Sequence, residues 1–204
     1  MCGKKEGRLR AEGVSICGWV LGMTWMMRVL CLMHVLACVC SYPLVIDSDI
    51  TESDLHLMAE LEGVGYLNVS SAEPVFPVLG LIMGAHRRWM VNLLVRRRAV
   101  PEHEYRNVVF MVDTGSPYTF LSRAAMSALA GPGKNVPRMM RLEIHGVQAL
   151  VCYLSPPGCR FAEINLLGMD WLEMMRAQLD VDWPQKTFLV RAGMCTRGLE
   201  INSC

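Results

Sequence analysis

The 204-residue chain carries almost no net charge, since 20 Lys and Arg stand against 19 Asp and Glu, leaving +1. No global field therefore draws it to nucleic acid or to acidic partners. Basic residues do cluster at His86-Arg87-Arg88 and Arg96-Arg97-Arg98. No aromatic or Gly-rich binding motif accompanies them, so they read as solvated caps at the two ends of one strand, with no nucleic-acid partner. Metal-ligand spacing is absent: Cys38-Val39-Cys40 is C-x-C, and no His follows at zinc-finger distance. Neither a metal nor a cofactor is expected. His103 and His145 read as loop and turn residues, and no Ser–His or Cys–His arrangement offers a nucleophile with its base. Internal repeats and low-complexity tracts are also missing.

What is present is apolar. A hydrophobic share of 52% supports one domain with a core, plus an appendage. Cysteines split into Cys2, Cys17, Cys31, Cys38 and Cys40 near the start and Cys152, Cys159, Cys195 and Cys204 later. The later four read as buried thiols, and their even number also permits two disulfides in an oxidising compartment, with the pairing open.

The start is basic (Lys4, Lys5, Arg8, Arg10), and an apolar stretch follows from Val14 to Cys40, interrupted by Arg28 and His34. As one membrane helix it is long enough, with Arg28 near its middle costing about 3 kcal/mol on insertion scales. Alternatively, Met26-Met27-Arg28 is a short n-region, Val29 to Val39 an h-region, and Cys40-Ser41 a cleavage zone. A buried soluble helix is the third possibility. The first two send the chain to a membrane or the secretory pathway, where the sequon Asn68-Val69-Ser70 would become meaningful.

The organisation expected is a basic start and apolar segment over 1–42, a spacer over 43–80, a β domain over 81–192 and a tail over 193–204. Within the spacer, Thr51-Glu52-Ser53-Asp54 opens like a helix N-terminus, with Leu55, Met58 and Leu61 on one face. From Trp89 the period changes to two: Trp89, Val91, Leu93 and Val95 alternate with Met90, Asn92, Leu94 and Arg96. After a polar hairpin, Asn107 to Val112 is apolar throughout, as for a strand buried on both faces. Tyr118 to Leu121 is a strand, and Ser122 caps a helix through Leu129. Leu142 to Ile144 and Val147 to Leu154 flank a turn at His145-Gly146. Ile164 to Leu167 is a strand, Asp170 caps a helix to Met175, and Gln178 to Asp182 with Thr187 to Arg191 form a hairpin. The fold class is mainly β.

Between these elements lie two motifs. Asp113-Thr114-Gly115-Ser116 follows the buried strand end Phe110-Met111-Val112. Downstream comes Leu166-Leu167-Gly168-Met169-Asp170-Trp171-Leu172: two apolar residues, a Gly and a short helix. Asp-Thr-Gly alone is an ordinary strand-end turn. In this order, with Leu142-Glu143-Ile144-His145-Gly146 between and Leu179-Asp180-Val181-Asp182 after, the segment from about Trp89 to Val190 resembles the retropepsin-like, or retroviral-type, aspartic proteases.

That resemblance implies an acid-protease β-barrel half that works as a homodimer. Asp113 would be the single catalytic carboxylate each chain supplies; a longer, two-lobed chain would carry both. The two carboxylates, sharing one proton, would activate water and protonate the leaving nitrogen of a peptide substrate. Thr114 would bond across the dimer, Gly115 would donate its N–H to the carboxylate, and Ser116 would bond its outer oxygen. Leu167 and Gly168 would pack beneath the loop. Against the family, Pro117 and Met169 stand where retroviral members carry an acid and an Arg that pair, and the flap candidate, Ala130 to Arg138 with a Gly131-Pro132-Gly133 tip, is short. Two functions follow as expectations: an aspartic endopeptidase, or a catalytically silent dimerisation and interaction module on the same fold.

Overall fold

The computed structural model describes residues 49–97 and 104–193. The apolar segment 14–40, His103, and the terminal Cys195 and Cys204 lie outside the described residues. Among those described, no helix is long and apolar enough to cross a membrane.

The chain is mostly β, with a mixed sheet. In chain order the elements are α1 (Glu52–Leu61), β1 (Val69–Ser70), β2 (Val78–Met83), β3 (Arg88–Arg97), β4 (Tyr105–Val112), β5 (Phe120–Leu121), α2 (Arg123–Ala130), β6 (Met139–Ile144), β7 (Val147–Leu154), β8 (Leu166–Leu167), α3 (Met169–Met175), β9 (Gln178–Asp182) and β10 (Thr187–Arg191). The sheet order is β1-β4-β8-β5-β7-β6-β3-β2-β10-β9, and β4 also pairs with β3. That extra pairing closes β3, β4, β8, β5, β7 and β6 into a barrel, in which each strand pairs on both sides over at least part of its length. β2, β10 and β9 extend from β3 as an open wing.

Period-two alternation in β3 and β4 sorts side chains into two cores. Val91, Leu93 and Val95 join Val108 and Phe110 in the main core. Met90 joins Val109 and Met111 in a second core on the other face. The continuously apolar run before Asp113 is thus buried on both sides, as its composition implies.

The second core is closed by residues from the stretch read as a spacer. Ile50, Leu55, Met58, Ala59 and Tyr66 all pack there. The helix starts where Thr51 and Asp54 place it, with the Asp54 carboxylate accepting from Thr51 N and Oγ1 at 2.8 Å each. Leu61 differs from expectation and is 66% exposed. The helix ends there, so the buried face is Leu55, Met58 and Ala59, at i, i+3 and i+4. Asp49 anchors the entry, accepting from His86 N (2.8 Å) and pairing with Arg88 Nε (3.1 Å). Burial pushes the Asp49 carboxyl up, but the His86 amide and the Arg88 guanidinium together outweigh it and hold it below the usual value. Arg96 likewise is not a solvated cap: it pairs with buried Glu143 at 2.9 Å. Tyr105 also donates to Glu143, and burial with that neighbouring carboxylate pushes the phenol up to about 12.

The turn between β6 and β7 has positive φ at both His145 (46°) and Gly146 (88°), as a tight hairpin requires. His145 is 5% exposed, which a turn position does not announce. Its Nδ1 accepts from Leu94 N (3.3 Å) and its Nε2 donates to the Val75 carbonyl (3.0 Å). Burial holds this imidazole below its ordinary value despite the Val75 bond. Cys152 is a buried thiol, pushed well up by burial. The flap candidate forms no strand: residues 131–138 link α2 to β6 through turns, with positive φ at Gly131 and Gly133.

Candidate active site

Asp113 sits at the end of a buried strand because β4 stops where its partner stops. β8 lies parallel to β4, with Met111 opposite Leu166 and Val112 opposite Leu167. The ladder closes on Asp113 N donating to the Leu167 carbonyl at 3.0 Å. The chain then turns through 113–119 and returns as β5 on the far side of β8, where Phe120 pairs with Leu166. Two strands consecutive in sequence thus straddle a third, and the loop between them is stretched over the end of β8.

Within the loop, Gly115 N donates to Asp113 Oδ1 at 3.0 Å and Ser116 N to the Asp113 carbonyl at 3.1 Å. A Cβ at Gly115 would stand 3.3 Å from Asp113 Oδ1, tighter than ordinary contact. Asp113 is half-buried, and Thr114 and Gly115 are exposed at the loop tip. Ser116 does not bond the carboxylate: its hydroxyl donates to the Tyr118 carbonyl at 2.6 Å. The side chain thus bridges the loop's own backbone.

The loop rests on the second motif. Leu167 is fully buried in the main core. Gly168 is needed because the loop backbone crosses it: a Cβ there would overlap the Tyr118 carbonyl and stand 2.9 Å from Thr119 N. Met169 N donates to the Ser116 carbonyl (2.8 Å) and Asp170 N to the Pro117 carbonyl (3.2 Å). The first turn of α3 therefore delivers N–H groups to the loop. These bonds run backbone to backbone, so they do not need the side-chain ion pair that Pro117 and Met169 cannot make.

Sequence reasoning missed the group that ties the two motifs together. Thr119 is fully buried. Its Oγ1 donates to Asp170 Oδ1 (2.7 Å) and accepts from Gly168 N (3.1 Å), while its N donates to Asp170 Oδ2 (3.0 Å). Asp170 is thus not the cap residue of α3, a position that Gly168 holds. It sits in the first turn, where a carboxylate is favoured, and is turned onto Thr119. Just before β8, Asn165 acts in the same way, accepting from Ser122 N (2.9 Å) and donating to Tyr66 Oη (2.8 Å) and the Val109 carbonyl (2.9 Å). A polar residue directly before a short apolar strand, as Thr119 is to β5 and Asn165 to β8, was the available signal.

No cluster of three or more His, Cys, Asp or Glu that could hold a metal occurs among the described residues. A cavity of about 190 Å³ lined by Arg97, Glu104, Arg106 and Pro132 shares no residue with the loop and lies towards the opposite end of β4.

No family profile matches the chain, and no curated protein matches it. Among solved structures it is similar to a retropepsin-like aspartic protease from Rickettsia conorii, at 18% identity and a TM-score of 0.37 over 56% of this chain and 88% of that one.

Proposed function

We propose that this protein is an aspartic endopeptidase whose catalytic dyad forms when two copies bring their Asp113 side chains together across a two-fold axis. One observation carries the reading. A half-buried carboxylate stands on a loop braced from below by Leu167, Gly168 and the Thr119–Asp170 bonds, with a backbone N–H fixed on one of its oxygens and an exposed Thr114 beside it. One carboxylate of the pair, ionised, takes the proton of a water that attacks the peptide carbonyl. The other, protonated, first polarises that carbonyl, and the leaving nitrogen is then protonated within the pair. Preorganisation matters because two carboxyl groups must be held close enough to share one proton.

Activity should rise from neutral pH into acid and fall again once both carboxyls are protonated. The test is digestion of a peptide library by the full chain and by Asp113→Asn, with pepstatin as a second arm. Cleavage that survives unchanged in Asp113→Asn would remove Asp113 from the chemistry. A chain that dimerises but cuts nothing would instead establish the silent interaction module. The apolar segment 14–40 is proposed to bring the chain to a membrane or the secretory route. Fractionation wholly with cytosol in eukaryotic cells, with no glycan on Asn68, would refute that.

A further inference from the structure

Strand register defines one row of side chains across the outer face of the barrel. Leu81 is opposite Met90, Met90 opposite Met111, and Met111 opposite Leu166. Leu166 is opposite Phe120, Phe120 opposite Tyr153, and Tyr153 opposite Met139. Directly paired residues project to the same side of a sheet, so the row is apolar from end to end. Its first half, Leu81 to Leu166, is sealed by the second core that α1 closes. Its second half is not: Met139 is 63% and Tyr118 is 39% exposed, and Phe120 and Tyr153 are only half-buried. The Tyr153 ring touches both Tyr118 (5.4 Å) and Phe120 (5.9 Å), so the open strip continues into the loop that bears Asp113. From Leu166 to Met139 it spans three strand spacings, about 14 Å, the reach of about four residues of extended peptide.

The far end of the strip is basic. Arg141 is opposite Val151, one pair along the same face from Met139–Tyr153, and it is exposed. Arg138, also exposed, precedes Met139. Neither has a salt-bridge or hydrogen-bonded side-chain partner among the described residues, unlike Arg88, Arg96 and Arg191. An unpaired guanidinium, that of Arg141, on the same face as a bare apolar strip complements an acidic segment, not a neutral one.

The geometry points to a substrate class: the strip receives a peptide segment in which bulky apolar residues near the scissile bond are followed, about four residues out, by Asp or Glu facing Arg141. This rests on the proposed peptidase reading but can fail separately from it. The test uses the full chain carrying Asp113→Asn, which binds without cutting, and two fluorescein-labelled peptides. They share a Leu/Phe core and differ only in a flank of Glu or of Lys. The Glu peptide should bind about fivefold more tightly, the scale of a half-exposed charge pair, and the preference should shrink as salt rises. Adding Arg141→Glu should reverse it and Arg141→Gln should abolish it, while Met139→Gln should weaken both peptides alike, all with unchanged circular dichroism. Equal binding of the two peptides, no binding of either, or a preference unmoved by Arg141→Glu would overturn the inference. Tight, charge-selective binding by a chain whose wild type cuts nothing would refute the peptidase and leave the docking strip standing. Cleavage without charge preference would do the opposite.

Discussion

Replacing Thr119 by Val should destabilise the domain far more than its size suggests. The two side chains are nearly isosteric, so packing is preserved and the change isolates one hydroxyl. That hydroxyl is fully buried and makes two bonds, donating to Asp170 Oδ1 at 2.7 Å and accepting from Gly168 N at 3.1 Å. Losing it strands a buried backbone N–H, at about 1–3 kcal/mol, and removes a bond to a charged group worth about 1.5–3 kcal/mol. The two losses share a partner network and do not simply add, so a total of about 3 kcal/mol is expected. Thr119→Ser keeps both bonds and loses only a methyl, about 1 kcal/mol. Urea unfolding of the three proteins measures this: the Val midpoint should fall well below the Ser midpoint with an unchanged slope. A Val protein within about 0.5 kcal/mol of wild type, inside the scatter of ordinary surface substitutions, would show that Thr119 does not brace the loop.

Gly168→Ala puts a Cβ onto the Tyr118 carbonyl and close to Thr119 N, so the loop or α3 must shift. We expect a loss of about 1–3 kcal/mol together with a fall in peptidase activity larger than the fraction unfolded explains. His145, held below its ordinary value by burial, leaves the unfolded chain binding the extra proton. Its contribution to stability is therefore full above the unfolded value of about 6.5 and is lost as pH falls through the window below it. His145→Asn tolerates the positive φ of that position and should flatten this region of the acid limb in a stability–pH series. A chain beginning at residue 75 lacks α1 and Tyr66, which cover Met90, Val109 and Met111. It should bind a hydrophobic dye and unfold without a cooperative transition, whereas a chain from residue 45 should not.

Much of this was legible in the sequence because the signals were local. The alternation from Trp89, the apolar run into Asp113, the Ser122 cap and the His145-Gly146 turn each depend on a few neighbouring residues. Long-range relations were not. That Leu55, Met58 and Ala59 would pack on the far face of β3 and β4 needs the register of strands dozens of residues away, so 43–80 looked like a spacer. Asp170 was assigned by its position before a helix, but the cap is Gly168 and the carboxylate turns to a threonine 51 positions back. Ser116 was given a carboxylate partner by resemblance, whereas its hydroxyl donates to the carbonyl two residues on. Ala130 to Arg138 was only a short flap candidate, with Pro137 expected to interrupt a hairpin strand, and no strand forms over 131–138. Pro132 and Pro137 each lack the N–H that a ladder needs.

The central claim is that one Asp113 per chain is half of an active site. Wild-type protein at fixed concentration, titrated with the Asp113→Asn chain, tests it most directly, with peptide cleavage and sedimentation read in parallel. If the dyad spans two copies, mixed dimers are dead. Activity should then fall in direct proportion to the wild-type fraction, and its value per total chain with the square of that fraction, and specific activity should also drop on dilution as dimers dissociate. Activity that stays constant as mutant is added, from a protein that sediments as a monomer at every dilution, would contradict the account.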